Sequence, residues 1–169
     1  TGGSEGLELA KTIETVSDRS GATFAVAPQT PDIYRIASET SLRIVAQSVD
    51  APRAGRGTGQ IAVSTVAAAG ADGALLNHPE RPDTIADVEN AVARCAEYGL
   101  ESIVCVDSLE SARAALAFGP DCLLFENPAD IASDRALART QPERVEALVS
   151  MVAAASPETL VERLHDAGV

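Results

Sequence analysis

The sequence predicts an α/β protein whose strands lie parallel in one sheet, and three observations carry that prediction. Short apolar runs, each too short for a helix and each closed by polar residues, recur at 22–28, 43–49, 73–77, 102–106 and 122–125. Segments with helical spacing of apolar residues lie between them, so strand and helix alternate. The strand runs are continuously apolar, which is the pattern of strands covered on both faces by helices.

Taken in order, the chain opens on a helix, 7–17, in which Leu7, Ile13 and Val16 mark the apolar face. Strand 22–28 leads to helix 31–37, and strand 43–49 to helix 60–69. The glycines of Gly55-Arg56-Gly57-Thr58-Gly59 between the latter two fit neither a P-loop nor a dinucleotide fingerprint. Strand 73–77 precedes helix 84–98. Strand 102–106 precedes helix 109–118, with Asp107-Ser108 reading as its N-cap. Strand 122–125 is followed by helix 142–154. There the alternation breaks, because 157–167 is again helical in pattern where a strand is due. The reading is therefore one domain over 1–169 with a chain discontinuity near Thr159. Five strands favour by count an open doubly wound sheet, since a closed (β/α)8 barrel needs eight strands and typically about 250 residues.

Composition removes several function classes. A chain of 169 residues with 25 acidic against 13 basic side chains, net charge −12, is ill suited to nucleic acid, whose binding depends on cations that neutralise phosphates. No apolar run approaches 18 residues and no charged-then-apolar leader is present, so neither membrane span nor signal peptide is expected. Cys95, Cys105 and Cys122 form no CxxC pair and each lies in an apolar run, which predicts reduced, buried thiols in a cytoplasmic protein. Two distant histidines without a thiol pair match no metal-ligand spacing, so no metal is expected.

In parallel α/β folds functional groups gather at the C-terminal ends of the strands. Those ends carry Gln29, Gln47-Ser48-Val49-Asp50, Asn77-His78-Pro79-Glu80-Arg81, Val106-Asp107-Ser108 and Glu126-Asn127-Pro128. His78 precedes Pro79, a residue favoured at the first helical position, so its ring is expected near the positive end of a helix that keeps imidazole neutral. Glu126 follows Leu124 and Phe125, where desolvation would strengthen a carboxylate as a base. Each has a plainer reading, His78 as a capping residue and Glu126 as a hydrogen-bonding loop residue, and spacing alone does not choose. His165 reads as a surface residue of the last helix.

The ordered strings Ala25-Val26-Ala27-Pro28-Gln29, Ala46-Gln47-Ser48-Val49-Asp50, Gly57-Thr58-Gly59, Leu75-Leu76-Asn77-His78-Pro79-Glu80-Arg81, Val104-Cys105 and Phe125-Glu126-Asn127-Pro128 resemble the short archaeal type of triosephosphate isomerase. The resemblance runs from the first helix to about Ser156. It implies a (β/α)8 TIM barrel, of which the chain covers roughly strands 2 to 6 and their helices. It implies a cytoplasmic enzyme of glycolysis and gluconeogenesis without cofactor, a phosphorylated triose as substrate, and a homodimer or homotetramer. By the same resemblance His78 is the electrophile, Glu126 the base, Glu80 a supporting carboxylate and Cys105 a residue packed near the base. It also puts Thr58 at an oligomer interface, and the backbone of Ile131 and Ala132 against the substrate phosphate.

Several family features fall elsewhere or change. The family's catalytic Lys maps to the residue before Thr1, and Lys11 is on a helix. The seventh and eighth strands are missing from the match, and 160–169 resembles the final helix. Pro79 replaces a Ser, and Ile131-Ala132-Ser133-Asp134 replaces Ile-Gly-Thr-Gly, which sets a carboxylate where a phosphate should approach. The alternative that these changes imply is a diverged barrel without triose isomerase activity, acting on another sugar phosphate or serving as a binding or assembly module.

Overall fold

Two parallel pairings build the sheet of the first unit. The computed structural model describes residues 2–51, 55–126, 141–155 and 160–162. The chain divides into two compact units, Thr1–Leu75 with Arg94–Glu101, and Leu76–Ala93 with Ser102–Val169.

In the first unit, helix α1 (Gly3–Ser20) buries Leu7 and Ala10 and stops at Gly21, whose φ of 69° lets its N–H return to Ser17 O. Strand β1 (Ala25–Val26), helix α2 (Ile33–Glu39), strand β2 (Arg43–Ala46), helix α3 (Val63–Ala68) and strand β3 (Gly73–Leu76) follow. Ile33 and Ile36 on α2, and Val63 and Val66 on α3, are the buried residues at three-residue spacing that seat these short helices. Strand β1 pairs parallel with β2, Ala25 opposite Arg43, and β2 with β3, Val45 opposite Gly73. Asp72 fastens the start of β3 on both sides. Its Oδ2 accepts from Ile44 N–H at 2.8 Å, and its carbonyl accepts from Glu101 N–H at 2.9 Å. Strand β3 thus has β2 on one side and the beginning of the next strand, β4 (Glu101–Val106), on the other. A doubly wound sheet would reverse its order at a switch point. The sequential order here corrects the open sheet that strand count favoured and is the winding of a (β/α)8 barrel.

The second unit holds most of helix α4 (Ile85–Tyr98) and of β4, then helix α5 (Leu109–Leu116), strand β5 (Cys122–Phe125), helix α6 (Pro142–Ala155) and strand β6 (Leu160–Glu162). Ser108 caps α5 as the sequence predicts: its Oγ accepts from Ser111 N–H at 3.1 Å, and Ser111 Oγ accepts from Ser108 N–H at 3.1 Å. Strand β5 pairs parallel with β4, Cys105 opposite Leu124, and with β6, Cys122 opposite Leu160. Strand β6 corrects the helical reading of 157–167 at its described residues. Leu160-Val161 is an apolar pair that satisfies either period, and the unpaired edge of β5 selects the extended form. The core of this unit includes Val104, Leu123, Leu148 and Val152. Cys95, Cys105 and Cys122 are all buried thiols, as the sequence predicts.

Candidate active site

The site lies in the second unit, where β3, β4 and β5 end. Strand β5 delivers Glu126: its N–H donates to Val106 O at 2.9 Å, continuing the ladder one residue past Phe125. The residue is 9 % exposed. Beneath it, Cys105 is 1 % exposed and its thiol hydrogen-bonds the Glu126 carboxylate. Burial, and then the charge of Glu126, push that thiol far above the ordinary cysteine range, so it stays protonated as a donor.

His78 reaches the same place from β3. Its Nε2 lies 3.4 Å from Glu126 Oε2. Its Nδ1 accepts from Glu80 N–H at 3.2 Å, so Nδ1 carries the lone pair and the ring proton sits on Nε2, facing the carboxylate. The Glu80 side chain is 3.7 Å from Nδ1 and is 79 % exposed.

The local fold differs from the sequence expectation in one respect. Pro79 does not open a helix. Instead, Pro79 and Glu80 form a turn closed by Arg81 N–H to His78 O at 2.7 Å, with Pro at the position that favours its fixed φ. Helix α4 starts later because Thr84 and Asp87 make its cap: Thr84 Oγ1 accepts from Asp87 N–H at 3.2 Å and donates to Asp87 Oδ2 at 2.6 Å. The hydrogen bond that orients the ring therefore comes from the Glu80 N–H within the turn and not from a helix terminus.

Thr58 is exposed in a turn of the first unit where Gln60 N–H returns to Gly57 O at 2.9 Å. Ile131, Ala132 and His165 lie outside the described residues. No group of three or more metal-ligating side chains occurs among the described residues.

Three residues at the site were given no role by the sequence reading. Asn77 has φ 57° and exchanges hydrogen bonds with Asp83. Arg144 lays its guanidinium 5.3 Å from the centre of the Phe125 ring while donating from Nη2 to Asp107 O at 2.9 Å, so helix α6 is tied to the ends of β4 and β5. An Asn at a strand end is a signal for left-handed backbone. Nothing in local sequence pairs residue 144 with residues 107 and 125.

The family model described as triosephosphate isomerase matches residues 3–119. The triosephosphate isomerase of Methanosarcina barkeri is 39% identical over 159 residues, which are 94% of this chain and 72% of the relative. That of Methanocaldococcus jannaschii is 36% identical over 89% of this chain and 68% of its own. The crystal structure of triosephosphate isomerase from Bartonella henselae superposes with a TM-score of 0.72, covering 95% of this chain and 77% of the other, at 18% identity, a likeness of fold. The fold is that of the TIM barrel, represented in part, and by sequence the chain belongs to the triosephosphate isomerase family.

Proposed function

We propose that the chain interconverts dihydroxyacetone phosphate and glyceraldehyde 3-phosphate, with Glu126 as the base and His78 as the electrophile. The observation that carries this reading is the contact of 3.4 Å between Glu126 Oε2 and His78 Nε2, with the imidazole proton on Nε2. Substrate takes the place of this direct contact, its C–O unit lying between carboxylate and ring. Glu126 removes the C1 proton of the ketose while Nε2–H donates to the C2 oxygen, giving an enediol(ate). His78 takes the proton of the C1 oxygen, Glu126 returns its proton to C2, and the aldose forms with no net change of protons or electrons. The burial of Glu126, with little of it open to solvent, keeps bulk water from the carboxylate that would meet the substrate carbon. The buried Cys105 thiol beneath it holds one face of the carboxylate in place without competing as a nucleophile.

The test is turnover of glyceraldehyde 3-phosphate by the full chain and by Glu126→Gln. The amide keeps the shape and removes the base, so kcat should fall on the order of 10³-fold, within the range for a lost general base, with the far-ultraviolet spectrum unchanged. A folded Glu126→Gln variant within tenfold of the parent refutes the assignment.

A second reading, a barrel of this lineage acting on another sugar phosphate or serving in binding or assembly, is favoured by one sequence observation, Asp134 in the segment expected to meet the phosphate. Coulomb repulsion there is worth about 1–3 kcal/mol at intermediate dielectric. Triose phosphate turnover by the parent chain decides against it, and turnover of a different sugar phosphate alone decides for it.

A further inference from the structure

Asn77 is the only non-glycine residue with positive φ among the described residues, a backbone state that L side chains adopt at a cost. Both of its polar ends are held. Its N–H donates to Asp83 Oδ2 at 2.7 Å, and its Oδ1 accepts from Asp83 N–H at 3.0 Å. Its Nδ2 donates to Cys105 O at 3.1 Å on β4. The first two bonds close residues 77–83 into a loop at its neck, and the third pins that neck to the strand whose thiol meets Glu126. The other Asp83 oxygen is engaged by Arg81 Nη1 at 3.2 Å, which leaves Oδ2 to Asn77.

His78 is the next residue along this loop. Proline after it restricts its backbone to the extended region, and the turn takes its carbonyl, so the remaining freedom of the imidazole is set by the direction in which Asn77 releases the chain. We infer that Asp83 is a positioning residue for His78, acting through the two bonds it exchanges with Asn77 to aim the imidazole at Glu126. This rests on the reading of His78 as the electrophile. Catalysis depends on sub-ångström placement of such a group, so loosening the neck should lower kcat more than it raises KM.

The test compares Asp83→Ala, Asp83→Asn and Asn77→Gly in the full chain, by steady-state kinetics and by long-range proton–nitrogen spectra of the imidazoles. The chain has two histidines, so His78 is read against an internal reference. The parent His78 should show the Nε2–H form alone. Asp83→Ala should give mixed or shifted His78 signals, leave the other histidine unmoved, and lose at least tenfold in kcat with KM changed less than threefold. Asp83→Asn keeps an oxygen for the Asn77 N–H and should recover most of that loss. Asn77→Gly accepts the φ of 57° without strain but lacks the side-chain bonds, and should behave like Asp83→Ala. Parent-like His78 signals and kcat within twofold in Asp83→Ala overturn the inference, as does an equal loss in Asp83→Ala and Asp83→Asn. If Asp83→Ala fails to fold, Asn77→Gly decides by the same criteria. If the parent has no isomerase activity, the functional reading falls while the His78 signals still decide the positioning.

Discussion

Strands β4 and β5 deliver Cys105 and Glu126 at one end and are clasped at the other, and separating those ends tests how the fold supports the site. Ser102, 1 % exposed, donates to Asp121 Oδ2 from its N–H at 2.8 Å and from its Oγ at 2.7 Å, and Asp121 N–H donates to Ser102 Oγ at 3.1 Å. Asp121→Ala removes one acceptor and strands two donors. A bond to a charged acceptor contributes about 1.5–3 kcal/mol, and a buried donor left alone costs about 1–3. Asp121 itself is exposed, so water entering in its place would satisfy one of the two donors. The expected net loss is about 2–4 kcal/mol, or about 4–16 °C in Tm at the 2–4 °C per kcal/mol of a domain this size. Ser102→Ala removes the hydroxyl and keeps the N–H bond, at about 1 kcal/mol, and the double variant should be less destabilised than the sum of the two by about 1 kcal/mol. Urea unfolding followed by circular dichroism measures all three. Below the unfolding transition kcat should stay within twofold of the parent, because the clasp is at the opposite end of the strands from Glu126. A loss under 0.5 kcal/mol, or a fall in kcat in fully folded Asp121→Ala, refutes this division between a stabilising and a reacting end.

Two further outcomes follow from packing and charge. Gly73→Ala would put a methyl 2.9 Å from Glu101 O and 3.3 Å from Glu101 Cβ, forcing backbone apart, so urea unfolding should show a loss of about 1–3 kcal/mol, and a neutral result would mean that this close approach is absent. Cys105 is pushed upward by burial and by the Glu126 carboxylate, so it stays a thiol as pH rises through 8; a thiol reagent should modify none of the three cysteines of the native chain at pH 8 and all three in guanidinium, and rapid native modification of Cys105 would contradict both its burial and its bond to Glu126.

Much of the fold was legible because alternation is a long-range pattern written in short-range residues. The short apolar runs at 22–28, 43–49, 73–77, 102–106 and 122–125, alternating with helical patterns, read as strands covered on both faces. Strand order was not legible in that pattern. Counting strands pointed to a doubly wound sheet, whereas the pairings around β3 depend on Asp72 meeting Ile44 and Glu101, contacts between residues 28 and 29 positions apart. Strand β6 failed for a different reason, since Leu160-Val161 is too short to have a period and takes its form from the edge of β5.

The two proposed reacting groups were legible for a chemical reason and their support was not, for a physical one. A His and a Glu at strand ends in a parallel fold fall on one rim, which made His78 and Glu126 candidates, and the resemblance supplied their roles. Much of what holds them is backbone, which carries no residue signature: Glu80 N–H on the imidazole, Val106 O on Glu126 N–H and Cys105 O under the Asn77 amide; the side chains of Asn77 and Asp83 pair over six residues with no motif to announce it. The misplaced helix start at Pro79 shows the same division. Proline permits both a first helical turn and the second position of a β-turn, and the choice was made five residues on, where Thr84 and Asp87 cap α4 and leave 77–83 free to close on itself. A helix beginning at Pro79 would have committed the Asp83 N–H to the backbone ladder, and Asn77 would then have lost the partner for its Oδ1. The loop that carries His78 thus exists because the capping pair sits late, and moving that pair toward residue 79 would remove the neck that aims the ring.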